Sequence, residues 1–392
     1  MIESTIASYV RVLRPRLKRG AFQPARSRLW WLPAHLAIIT LCCSALQQRV
    51  VPWLAAPLLS LIIGVCFAGL TFLGHETLHG AIVRGPRLRY LVGWIGFLPF
   101  VVSPRLWVAW HNRVHHGNTQ HEGKDPDAYP TLREYWQSRA IRVATQVAPG
   151  LRRLRGASTP LIGFSVQSSH MLLAARARGF LSAKEQAYAI LETLLGVALW
   201  TTLAFALGGL AFVFAFVLPL LVANAIVMGF ILTNHSLSPL TVINDPLLNS
   251  LSVTTPRWLE WLTLGFGYHV EHHLFPAMSA RHAPEVHALL RAHYPGRYQW
   301  LPLSRATAVL HSSARIYKDA TTLVDPGSGR EWPVLRARDP AVSAEPGTPD
   351  DQLALPTEPP QPTHPLLRAR SAPSVPPTLC VRKGTDLSSI SE

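Results

Sequence analysis

Long stretches without Asp, Glu, Lys or Arg set the pattern of this chain. One covers residues 29–48, between Arg28 and Arg49. A second covers 50–75 and runs into a pair of histidines. No charged residue falls between Glu192 and Asp245, and this run holds two further apolar segments, roughly 191–207 and 210–233, that meet at Gly208 and Gly209. A helix needs about 20 apolar residues to cross a bilayer, so the pattern predicts four spans in two close pairs. Between the pairs, residues 90–104 are apolar but too short to span and are interrupted by Pro99. That piece is expected to be interfacial or re-entrant.

Composition sharpens the picture. Only 15% of the residues are charged, against about 25% in an average soluble domain. Together with the apolar runs, this argues against a soluble enzyme, a nucleic-acid-binding module and a secreted disulfide scaffold. The formal charge of +15 lies outside the apolar runs and reads as membrane-side loops. Cys42, Cys43, Cys66 and Cys380 make no metal-spaced set, and three of them sit in apolar segments.

Orientation follows from the cations. Residues 1–28 hold Arg11, Arg14, Arg16, Lys18, Arg19, Arg26 and Arg28. The turn between the first two spans has only Arg49, and the turn at Gly208 has none. The positive-inside rule then places residues 1–28, the long 76–187 segment and everything after 234 on the cytoplasmic side. The first 28 residues are basic and lack the apolar core of a cleavable signal. From about residue 324 the chain becomes rich in proline, with thirteen between Pro326 and Pro377, so 324–392 reads as a disordered tail.

The histidines supply the chemistry. Nine of the seventeen fall in four clusters on the expected cytoplasmic side: His75 and His79; His111, His115 and His116; His235; and His269, His272 and His273. On a helix, residues three or four apart share a face, so His75 with His79, His111 with His115, and His269 with His272 and His273 could each hold one ion. His116 points about 140° from His111 on an α-helix and suits a second ion. Nine imidazoles exceed what one zinc or one octahedral ion takes, so two metals are expected, and imidazole alone does not choose among Zn, Cu, Fe and Ni. His35, His170, His282, His287, His293 and His311 fit no such pattern and receive no role.

Two rivals compete for this set. His75 to His79 spells H-E-x-x-H, the helix of zinc proteases with Glu76 as general base. That site needs one further ligand and leaves most of the nine idle. A metal transporter would want its ligands near the bilayer midplane, whereas these gather at one end of the spans.

The boxes His-x3-His, His-x3-His-His and His-x2-His-His, in this order around two pairs of spans, resemble the membrane fatty acid desaturase family. Gly74-His75-Glu76, Trp110 through His116, Asp125-Pro126-Asp127 and Gly267 through Pro276 strengthen the resemblance, which covers roughly residues 55–320. It implies an all-α integral membrane protein, with four transmembrane helices in two hairpins and a cytoplasmic helical cap. It implies the domain order 1–28, desaturase domain 29–323 and tail 324–392. It further implies an oxidoreductase in which all nine histidines hold two irons and no catalytic residue is needed beyond them. His235 enters because family members carry a ligand histidine after the fourth span.

O2 would be the co-substrate, and electrons would come from an external donor such as ferredoxin or cytochrome b5 with its reductase. The substrate would be a long-chain acyl lipid, acyl-CoA or acyl-ACP. No nucleic acid is involved. A bacterial inner membrane is favoured over the endoplasmic reticulum. Ligating histidines usually donate their second N–H to a carboxylate or carbonyl, which makes Glu76, Asp125, Asp127 and Glu271 candidate partners.

The first box has three intervening residues, and the third begins with His269. Ile231 stands where acyl-CoA members carry Asn. These features place the chain nearer the acyl-lipid and methyl-end type than the acyl-CoA Δ9 type. Di-iron hydroxylases and carotenoid ketolases share such boxes and remain the alternative.

Overall fold

Among the described residues, four helices are long and apolar enough to cross a membrane: Arg26–Gln47, Trp53–Leu78, Ala183–Leu207 and Gly209–His235. They coincide with the four expected spans but run further at their polar ends. The third begins early because Ser182 and Glu185 form a reciprocal capping box, which fixes the helix start ahead of the apolar window. The second continues through its histidine pair, so His75 lies in its last turn and His79 caps it. The computed structural model describes residues 5–153, 156 and 158–335.

Burial separates these helices by role. Within its most apolar window the second span is 67% buried inside the protein, whereas the third is only 6% buried. The second span is therefore the central one, packed against the first and fourth spans and against the helix Pro86–Phe97. The third leaves Leu191, Leu194, Leu195 and Phe205 exposed, as a lipid-facing helix should. Glycine allows the close approach of Pro86–Phe97 to the second span. A Cβ on Gly96 would sit 2.7 Å from the Cα of Gly74, the residue before His75.

The apolar piece at 90–104 does not run straight on. Helical segments Pro86–Phe100 and Pro104–Asn118 meet at 98°, the form of a broken span or a re-entrant loop. Val101 takes a left-handed φ of 50° at the bend. Beyond it the Ser103 hydroxyl accepts from the N–H groups of Arg105 and Leu106, restarting the helix. This bend swings the second histidine cluster back toward the first.

The basic N-terminal segment is also structural. Its helix Thr5–Leu13 places Tyr9 and Leu13 on one face. With Leu17 and Ala21 they pack on Val270, Leu274 and Phe275 of the third histidine cluster.

Two features depart from the expected all-helical fold with its boundary at 324. A parallel pair joins β1 (Ser252–Thr254) to β2 (Trp300–Pro302), and an antiparallel sheet orders β3 (Tyr317–Asp319), β4 (Thr322–Val324) and β5 (Glu331–Pro333). Residues 324–335 thus belong to folded structure rather than to the tail, because Leu323, Trp332 and Val334 bury their side chains around Tyr317. Three-residue strands leave too short an alternation to stand out against a proline-rich composition. The remainder of the expected tail, 336–392, lies outside the described residues.

Candidate metal centre

Four separate elements deliver the nine histidines to one place. His75 and His79 come from the end of the second span, and His235 is the last residue of the fourth. His111, His115 and His116 ride on the bent arm Pro104–Asn118. His269, His272 and His273 lie on the short helix His269–Leu274.

They form two groups. Ring nitrogens of His75, His79, His111 and His272 all lie within 4.8 Å of one another, as do those of His115, His235, His269 and His273. His116 completes the first group, its Nε2 lying 3.2 Å from Nε2 of both His111 and His272. Within the first group His75 Nε2 is 3.0 Å from His111 Nε2. In the second, His269 Nε2 lies 2.6 Å from His235 Nε2 and 3.2 Å from His273 Nε2.

This partition corrects the spacing argument in three places, two of them on the second cluster. His111 and His115 go to different groups, and His116 joins His111 instead of opposing it. The cause is local: Val108–His115 winds as a π-turn, with the His116 N–H bonded to the His111 carbonyl. Hydrogen bonds that run five residues bring positions five apart onto one face. On the third-cluster helix, His269 stays with His273, one full turn away, while its neighbour His272 turns to the first group.

The donor set fits metal ions. His79 Nε2 is buried without a hydrogen-bond partner, and a neutral imidazole has one lone pair with which to bind a cation. Several Nε2 atoms converge to 2.6–3.2 Å of one another, so that one cation can take lone pairs from several imidazoles together. Burial and the neighbouring His115 push the His272 imidazole down to about 3, which keeps it a neutral base. Such sites suit Zn, Cu, Fe or Ni.

Of the four carboxylates expected beside the imidazoles, two lie next to one of them, His115. Asp125 Oδ1 lies 3.0 Å from His115 Nδ1, leaving Nε2 for the centre of the second group. Burial opposes the charge on Asp125, but His115 and the N–H groups of Asp127 and Gln120 hold the carboxyl below its ordinary value. Asp127 Oδ2 is 3.4 Å from the same His115 nitrogen. Its Oδ1 accepts from Trp110 Nε1 and Gln167 Nε2. His111, His115 and Asp127 are also close enough to share an ion, although Trp110 and Gln167 already engage the Asp127 Oδ1. Burial, partly offset by His115, and the adjacent Asp125 push the Asp127 carboxyl up to about 6.

Glu76 and Glu271 serve elsewhere. Glu76 pairs with Arg28 at 2.5 Å and accepts from the Ala280 N–H, tying the first span to the loop after the third cluster. Glu271 is fully buried, accepts from the Ser252 and Tyr298 hydroxyls, and lies 3.2 Å from His287 Nδ1. Thr119 is a further partner, absent from the sequence-based set. Its Oγ1 donates to the His115 carbonyl and sits 3.3 Å from His273 Nδ1, so it steers a second imidazole of that group. A lone threonine carries no spacing signal by which it could have been found.

A pocket reaches both groups. It is lined by His75 and His272 from the first and His269 from the second, with Phe72, Phe266 and Phe275 supplying apolar wall. The Phe266 ring lies 5.1 Å from that of His75 and 5.7 Å from that of His269.

The arrangement can therefore hold two adjacent metal ions beside an apolar pocket, in a protein with four apolar helices long enough to span a membrane. The family model for fatty acid desaturase matches residues 52–302, a stretch that contains all nine histidines. With well over half of its length matched and its histidine boxes gathered at one centre, the chain belongs to the fatty acid desaturase family.

Proposed function

We propose that this protein is an O2-dependent fatty acyl desaturase whose nine clustered histidines hold two irons. Membership of the family makes it an oxidoreductase. The observation that carries the finer reading is an apolar pocket lined by histidines of both groups. When bound, iron supplies what zinc cannot, an O2-derived oxidant strong enough for an unactivated methylene. The balanced reaction takes two hydrogens from adjacent methylenes, with O2, two external electrons and two protons, and gives a double bond and two waters.

The residues of the chain do the positioning. Phe72, Phe266 and Phe275 offer an acyl chain an apolar wall and exclude water from it. Phe266, close to one histidine of each group, is suited to set which carbon–carbon bond stops beside the centre. Asp125 and Thr119 accept Nδ1 protons and so fix His115 and His273 with Nε2 directed inward. The box spacing supports an acyl-lipid or methyl-end substrate, with a membrane serving as its reservoir. Both termini and the histidine centre are assigned to the cytoplasmic side, where an external one-electron donor can dock.

Two observations weigh against the rivals. The Glu76–Arg28 ion pair occupies the carboxylate that a zinc protease would need as general base. His75 and His235 lie at the ends of their spans, where a transporter site would sit midway. Expression in a host with a simple lipid profile, followed by mass spectrometry of its acyl chains, tests the reaction. The expected products are two hydrogens lighter than their precursors. Products heavier by one oxygen would instead establish a hydroxylase.

A further inference from the structure

The chain that leaves the fourth span, residues 235–240, is clamped from two directions. On one side stands Gln120, almost completely buried. Its Nε2 lies 3.0 Å from the His235 carbonyl, 3.0 Å from the Ser238 carbonyl and 2.8 Å from the Tyr317 hydroxyl. Its backbone N–H donates to Asp125 Oδ2 at 2.7 Å, and Asp125 in turn holds His115. Gln120 thus bonds to the supports of two imidazoles of the second group. It does so with a φ of 57°, a left-handed conformation that a non-glycine residue keeps only where surrounding contacts over-determine it.

From the other side comes the C-terminal region, past the end of the stretch matched to the family. The Tyr317 hydroxyl accepts from Gln120 and donates to the Ser238 carbonyl at 2.6 Å. Arg315, itself buried, donates from Nη1 to the Ser236 carbonyl at 2.6 Å. The Leu335 N–H donates to the Leu237 carbonyl, and the Leu240 N–H to that of Ala320. Nearly every residue from His235 to Leu240 is therefore bonded to Gln120 or to the β3–β5 region.

We infer that Gln120, braced by Tyr317, is a positioning residue for the second histidine group. The inference rests on reading the nine histidines as a two-metal centre. It assigns selectivity: Gln120 bonds to Asp125 and to the His235 carbonyl and directly follows Thr119, all on the second group, so its loss should loosen one metal and spare the other.

The test titrates metal-stripped protein in lipid nanodiscs with Co2+, following visible absorption for each equivalent and thermal melting in parallel. Wild type, Gln120→Met, Tyr317→Phe and Trp332→Phe are compared. Trp332→Phe is the packing control, since it loosens the same sheet while leaving the Gln120 bonds intact. The expected result is two equivalents for wild type and for Trp332→Phe. Gln120→Met should weaken one equivalent by about 10-fold or more, the range typical for lost partners of a ligating histidine, and leave the other unchanged. Tyr317→Phe should show the same selective effect, to a smaller extent, and carries the test alone if Gln120→Met does not fold. Equal affinities in all variants, or both equivalents weakening together in step with melting temperature, would overturn the inference. Wild-type protein that binds no second equivalent would contradict the two-metal reading itself, and the inference with it.

Discussion

The Nε2 atoms of His235 and His269 lie 2.6 Å apart, one at the end of the fourth span and the other at the start of the third-cluster helix. Two buried imidazole nitrogens this close are joined either by a shared proton or by a shared cation. Because His115 and His273 complete the group, His235→Ala should abolish activity and reduce metal content toward about one ion per chain. His170, exposed on the helix Ser158–Ala174, is the control. His170→Ala should keep both activity and metal and change stability by no more than about 0.5 kcal/mol. Activity assays and elemental analysis on the two variants check this. A fully loaded, active His235→Ala protein would return His235 to the role of a span-end residue.

Asp125 should matter for metal rather than for folding alone. It holds His115 Nδ1 and also accepts from the Gln120 and Asp127 N–H groups. Asp125→Asn retains the shape but weakens acceptance from the imidazole, and it should cost about 10- to 100-fold in affinity for one metal. Metal titration of the stripped variant measures this. Unchanged affinity would mean that His115 is oriented without its carboxylate.

Truncation divides the C-terminal region in two. Removing residues 336–392 should leave activity and melting temperature as they are, because all nine clustered histidines and the buried side chains of the described residues precede that segment. Removing everything from Asp325 onward deletes β5, with the buried Trp332 and Val334 and the Leu335 bond to Leu237. Loss of one large core side chain alone costs about 3–5 kcal/mol, so this shorter protein should melt at markedly lower temperature and lose activity. Thermal melting of both truncations decides between them.

What the sequence shows and what it hides follow the range of the signal. The four spans are legible because a bilayer demands a continuous apolar run, and such runs are visible without any tertiary contact. Eight of the nine histidines are legible because one rare, metal-binding side chain recurs in short clusters, and His235 because the resemblance implies a ligand after the fourth span. Their division into two groups is not, since it depends on a π-turn at Val108–His115 that no residue preference announces. Thr119 and Gln120 are invisible for a related reason: each acts through one or two hydrogen bonds to partners distant in sequence. Glu76 and Glu271 looked equivalent to Asp125 beside their histidines, but helix direction turns them toward Arg28 and Tyr298.

Elemental analysis of protein purified after iron-replete expression tests most directly whether the nine histidines hold a two-iron centre. Close to two irons per chain are expected, lost on chelation together with desaturase activity. A single zinc with no iron would contradict a two-iron centre and return His75, Glu76 and His79 to the protease reading.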